Sequence, residues 1–143
     1  MTPTITVHNR QRTVKTPLTA LRDFAQSALR GVLKIPRRKA SALVELEAIS
    51  VILVSDRRMA ALHRRFLDVS GPTDVITFQH GEIFVSTETA RRQARRFGTS
   101  LEHELRLYIA HGLLHLHGFD DRDLRGAAQM KRAQEKLVAS ALL

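Results

Sequence analysis

Polarity alternates along ITVHNRQ (5–11), the period-two pattern of a half-buried strand. Thr16-Pro17 then offers a capping residue and a proline suited to the first helical position. The amphipathic run LTALRDFAQSALR (18–30) predicts a helix that stops at Gly31, and IPRRKAS (35–41) reads as a basic loop. AISVILVS (48–55) is β-branched, almost wholly apolar and too short for a buried helix, so it predicts a central strand. Helical spacing returns in DRRMAALHRRF (56–66), with Met59, Leu62 and Phe66 on one face.

Gly and Pro punctuate a loop over 67–74. Two short strands follow, 74–78 and 82–86, with His80-Gly81 at the turn between them. TETARRQARRF (87–97) predicts a helix with a basic face. Thr99-Ser100-Leu101-Glu102 has capping-box spacing and opens a helix over 100–117, with Leu101, Leu105, Ile109 and Leu113 as its core stripe. A last helix over 123–141 closes the chain. The order βαβαββααα predicts an α+β fold, a small mixed four-stranded sheet packed with about five helices.

The length, 143 residues, predicts one domain, 1–143. Hydrophobic content of 43% and charged content of 26% are those of a soluble globular protein. No apolar run approaches the ~20 residues of a membrane span, and MTPTITVHNRQR lacks an apolar signal core; a cytoplasmic address is expected. With no cysteine there is neither a disulfide nor a thiolate metal site. Charge changes the picture most. Twenty-three Lys plus Arg against fourteen Asp plus Glu leave a net +9, a field that attracts polyanions, nucleic acid foremost.

The candidate chemistry lies in HGLLHLHGFDD (111–121). Four helical residues advance about 400° and about 6 Å, so His111 and His115 project side by side. A straight helix face has no room for a third ligand. Gly118 accepts the left-handed conformation that ends a helix, Phe119 packs back, and Asp121 is placed to swing toward the ion. Two imidazoles and a carboxylate leave a fourth position open, the catalytic rather than the structural zinc pattern. The metal site is therefore expected at the end of a helix, in a cleft. Asp121 is favoured as the third ligand, and Asp120 or Asp123 is suited instead to capping the last helix. His117 is about 200° round from His115 and points away, and His103 reads as solvated; periodicity does not assign His8, His63 or His80. In HExxH peptidases a glutamate beside the first histidine is the general base; here the slot is Gly112, which disfavours that route and is expected to open space beside the ion. A phosphodiester suits a metal-activated water and an excess of arginines, although each arginine alone reads first as solvated surface.

HGLLHLHGFDD resembles the signature of the YbeY family, bacterial endoribonucleases of rRNA maturation. GPTDVITF (71–78) is similar to that family's PTDVLSF block, GEIFVSTETARRQARRFG (81–98) to its GDI-V-IS strand and helix, and VILVSDRRMAALHRRF (51–66) to its upstream strand-helix unit. The resemblance covers about residues 48–135. It implies an α+β fold with the metal under a cleft, zinc as the usual ion, and single-stranded or ribosomal RNA as substrate. It also implies the small ribosomal subunit as partner, with 16S rRNA 3′-end maturation and ribosome quality control as tasks. Two positions depart from the family pattern. Asp121 stands where HGYDH has its last histidine, which makes the ion a poorer acid and opens the site to other divalent metals. Leu67 stands where FRGKDKPTD has its arginine, so either another arginine, such as Arg64 or Arg65, serves, or the activity is weaker. The candidates are then His111, His115 and Asp121 for the metal, His111 and Arg65 for catalysis, and Arg64, Arg65, Arg91 and Arg95 for RNA. A non-catalytic ribosome-assembly factor and a metallopeptidase-like hydrolase are the alternatives.

Overall fold

A computed structural model describes residues 2–36, 38 and 41–141. Arg37, Lys39 and Ala40 of the expected basic loop lie outside the described residues. The elements are β1 (Thr4–Asn9), α1 (Leu18–Leu33), β2 (Ala48–Val54), α2 (Asp56–Leu67), β3 (Val75–Phe78), β4 (Glu82–Ser86), α3 (Thr87–Phe97), α4 (Leu101–Leu116) and α5 (Leu124–Ala141). A short 3-10 turn, Leu43–Glu45, precedes β2. The result is an α+β fold with a four-stranded mixed sheet ordered β1-β2-β4-β3. β1, β2 and β4 run parallel, and β3 returns antiparallel along β4 as the edge strand.

Alternation along the strands sends Ile5, Val7, Ile49, Val51, Leu53, Ile83 and Val85 to one face, where they are buried with α1, α4 and α5. α4 runs through the middle of that layer. Leu105, Ile109, Leu113, Leu114 and Leu116 are fully buried, so the helix is apolar on nearly every side. The opposite face is covered only in part. α2 lays Met59 and Leu62 on Val54, Ile76 and Phe84, over the β3–β4 half.

Local chemistry differs from expectation at four places. α1 runs past Gly31 to Leu33, because the glycine serves a helix contact: a Cβ there would sit 2.7 Å from Leu137 Cδ2 of α5. Pro17 occupies the cap of α1, with no side-chain cap from Thr16. Ser100, not Thr99, caps α4 by accepting the His103 N–H at 3.0 Å, while the Thr99 hydroxyl donates to Glu104 Oε2. Phe66 shares the spacing of Met59 and Leu62 but is 52% exposed: its ring meets Phe78 of the edge strand β3 edge-on at 5.2 Å, and the rest of it faces solvent.

Candidate metal centre

α4 ends in a Schellman motif. Gly118 takes φ +96°, the Phe119 N–H donates to Leu114 O at 2.9 Å, and the Gly118 N–H to His115 O at 3.0 Å. Phe119 is buried in the core, which anchors the turn. Beyond it the chain is pinned twice more. Asp120 accepts the Arg122 N–H at 2.8 Å, and Asp123 accepts the Gly126 N–H at 2.6 Å. Asp120 and Asp123 are thus occupied locally, and Asp121 is the acid turned back toward α4.

His111 Nε2 lies 3.8 Å from Asp121 Oδ2, and His115 Nε2 lies 3.8 Å from Asp121 Oδ1. The imidazole centroids are 4.7 Å apart at 76°. One donor atom from each of the three side chains falls within 4.8 Å of the others, so the cluster can hold a metal ion. Zinc bonds of ~2.0–2.1 Å in tetrahedral geometry place neighbouring donors about 3.4 Å apart. The two 3.8 Å spacings run to different oxygens of Asp121, and the donors spread to within 4.8 Å of one another, so side-chain rotation must draw them in around an ion. Two imidazoles with one carboxylate is a donor set proteins use for open zinc sites.

The surroundings prepare the donors. His111 Nδ1 donates to Gln134 Oε1 of α5 at 3.1 Å, which leaves Nε2 free. Burial, and then the neighbouring His111, hold His115 below the ordinary histidine pKa, so the ring stays neutral and able to ligate. His117 faces elsewhere and is satisfied: Nε2 donates to Ile35 O at 2.8 Å and Nδ1 accepts from Ser41 Oγ at 3.4 Å.

A cleft of about 220 Å³ joins His111 and His115 to Leu67 and the β3 edge from Val75 to Gln79. A second hollow of about 340 Å³ meets His111 from the other side, with Asp74, Arg96, Glu104, Tyr108 and Gln134 in its wall. Burial, and then the charges of Asp74 and Glu104, push the Tyr108 hydroxyl well above the usual phenol range, so it stays a donor. Gly112 does not open space beside the ion. It faces the sheet, and a Cβ there would meet Ile83 Cγ2 at 2.6 Å.

The arginines divide. Arg96 reaches the hollow beside His111. Arg65 instead lines a groove with Phe66, outside the cleft that holds both histidines. Arg64 points to Asp68 at 3.9 Å, both largely exposed. Arg91 and Arg95 lie on α3, half-buried and exposed respectively. Leu67 walls the cleft with apolar surface. Reading the sequence alone missed Gln134 and Tyr108, and counts Arg96 only within the excess of arginines that suits a polyanion. Arg96 is one of four arginines on α3, and nothing in its spacing singles it out.

Fold and site together define a class: a small α+β protein with a three-donor, metal-ready cluster at the broken end of its central helix. The chain belongs to the YbeY endoribonuclease family, whose model, described as Endoribonuclease YbeY, matches residues 6–141. That span is wider than the motif-bearing stretch and takes in β1 and α1. An Endoribonuclease YbeY from Thermus thermophilus is 37% identical, spanning 77% of this chain and 91% of the relative. One from Frankia alni is 35% identical, spanning 86% of this chain and 72% of the relative. The solution structure of TM1509 from Thermotoga maritima matches with a TM-score of 0.66 at 26% identity, covering 96% of this chain and 88% of that one. Among the described residues no helix is long and apolar enough to cross a membrane.

Proposed function

We propose that the chain is a metal-dependent endoribonuclease of rRNA processing, with His111, His115 and Asp121 holding one divalent ion, zinc in the first place. The observation that carries the reading is the convergence of those three side chains beside an open cleft. Its curated relatives bear the name of endoribonuclease, and the net charge of +9 suits a polyanionic substrate. Single-stranded RNA of the small ribosomal subunit, at the 3′ end of 16S rRNA, is the substrate this family reading favours, with ribosome quality control as its setting and the cytoplasm as its place.

An ion in that position supplies positive charge against a phosphodiester and acidifies water. The chain's own groups supply the rest. Gln134 fixes the His111 tautomer. Tyr108 and Arg96 bring a hydroxyl donor and a cation to the same side of His111, where negative charge on a phosphate needs neutralising. Leu67, Val75 and Ile76 give the cleft apolar walls that strengthen those charges. Arg65 serves as an RNA contact on the adjoining groove rather than at the metal.

The peptidase alternative loses its base for a packing reason. A glutamate at position 112 would have to enter the space Ile83 fills. The test is cleavage of single-stranded RNA by the purified protein, with and without chelator, beside His115→Ala. Cleavage lost in both arms supports the reading. Equal cleavage in all arms removes the metal from the mechanism, and ribosome assembly sustained by a metal-free variant would favour the assembly-factor alternative.

A further inference from the structure

Among the described residues, no helix covers the β1–β2 half of the sheet's outer face, where α2 packs toward β3 and β4. Register places His8 beside Ile52 and Phe84 in one cross-strand row, and Ser50 beside Glu82 and Phe78 in the next. His8, Ser50, Ile52, Glu82 and Phe84 floor a hollow of about 600 Å³, with Arg10 at one end and Arg58 of α2 on the wall. A second hollow of about 440 Å³ continues from it, sharing Arg58, Glu82 and Phe84 and adding Arg65, Phe66, Phe78 and His80. The two form one groove on the face opposite α4.

Its lining interleaves rings with cations. The Phe78 and His80 rings stack at 5.6 Å and 18°, and Phe66 meets Phe78 edge-on at 5.2 Å. The Phe66 side chain is half exposed, with the Arg65 guanidinium 5.3 Å from its ring centroid. The acid within the groove, Glu82, is held by His80 at 2.6 Å, so Arg10 and Arg58 face the groove without an acidic partner among the described contacts. Flat rings for stacking, beside guanidinium groups for phosphates, are what proteins present to single-stranded nucleic acid. Phe78 also lines the cleft of His111 and His115, so the groove turns round the β3 edge and meets the metal centre there.

We propose that this outer groove is a second RNA-binding platform, on which a single-stranded segment lies across Arg10, Arg58, Phe66 and Phe78 before its chain enters the metal cleft. The proposal rests on the endoribonuclease reading for its choice of polyanion, yet it is tested by binding rather than cleavage.

The experiment measures fluorescence anisotropy of a labelled single-stranded RNA of about 12 nucleotides, a length within the usual range of site sizes. Full-length protein is titrated in the presence of chelator over a series of salt concentrations. Arg10→Ala with Arg58→Ala should weaken binding about tenfold or more and shrink the salt slope by about 1.4, two phosphate contacts at ~0.7 each. Phe66→Ala should weaken binding roughly tenfold by loss of stacking. All three residues are exposed, and unchanged melting temperatures check that the variants fold. Wild-type affinity and salt slope in both variants would overturn the proposal and would fit a protein partner for the groove. If wild type binds RNA and cuts it while the variants match it, the platform fails alone. If wild type neither binds nor cuts, the endoribonuclease reading falls with it.

Discussion

Gln134 accepts a hydrogen bond from Nδ1 of His111 at 3.1 Å, across the contact between α5 and α4 and 23 positions along the chain. That bond decides which imidazole nitrogen is free. With Nδ1 protonated, Nε2 faces Asp121. Removing it leaves the ring free to rotate or change tautomer. Gln134→Leu should therefore weaken zinc binding about 10–100-fold, the usual effect of losing such a support. Gln134→Glu, a stronger acceptor, should retain or tighten it. Competition against a chromophoric chelator measures both, and equal affinities for wild type and Gln134→Leu would count against His111 as a ligand.

Gly112 carries a second prediction, because two effects of opposite sign meet there. Alanine in a helix interior gains up to about 1 kcal/mol over glycine. Its methyl would lie 2.6 Å from Ile83 Cγ2 in a fully buried site, and overpacking of that kind costs about 1–3 kcal/mol. Gly112→Ala should destabilise the protein on balance. In an Ile83→Ala background the obstacle is gone, and the same substitution should become stabilising. Urea titrations of the four proteins in this cycle report the change of sign.

Asp56 gives the pH dependence its clearest local source. Burial alone would raise its pKa, but bonds from Arg92, Ser86 and Thr89 together outweigh it and hold the carboxyl below its ordinary 3.8. Ser86 Oγ and Thr89 Oγ1 donate to Oδ1 at 2.7 Å each, and Arg92 pairs with Oδ2. A carboxyl whose folded pKa is depressed adds stability above its unfolded pKa, and that stability is lost as pH falls through the folded value. Asp56→Asn should thus cost about 1–3 kcal/mol at neutral pH, as for hydrogen bonds to a charged group. The difference from wild type should shrink steadily below pH 3.8. A gap that stayed constant down to strong acid would show that the charge of Asp56 is not what the three partners hold.

What the sequence made legible was periodic or local. Every helix and strand of the core was visible in its spacing, and the Gly118 break with Asp121 beyond it followed from elementary backbone geometry. The failures share a cause. Gly31 and Gly118 are both glycines, and no local pattern says that one meets Leu137 of a distant helix while the other turns the chain at φ +96°. Phe66 keeps perfect helical register with Met59, yet it meets only the rim of the sheet, edge-on to Phe78 of the edge strand, and stays half exposed. Gln134 reaches His111 only because α4 and α5 pack side by side. Arg65 is a candidate for stabilising a phosphate because it lies close in sequence to Leu67, and in the fold it lines the outer groove with Phe66.

Asp121 sets the last prediction, because it is the one carboxylate in the proposed set of three donors. A carboxylate is harder than an imidazole and carries charge, so it favours oxygen-preferring ions and makes the bound ion a weaker acid. Its oxygens already lie 3.8 Å from each imidazole Nε2. Asp121→Ala should lose the ion, and with it the stabilisation that zinc gives the folded state, about 2.7 kcal/mol when free zinc is a hundredfold above Kd. Asp121→His should keep that gain and raise the preference for zinc over manganese. Elemental analysis after dialysis against an equimolar mixture of both ions compares the three proteins directly, and thermal denaturation with and without zinc gives an independent reading. If wild type and Asp121→His retain the two metals in the same ratio, Asp121 does not touch the ion, and the cluster shrinks to a histidine pair too weakly chelating to anchor the proposed chemistry.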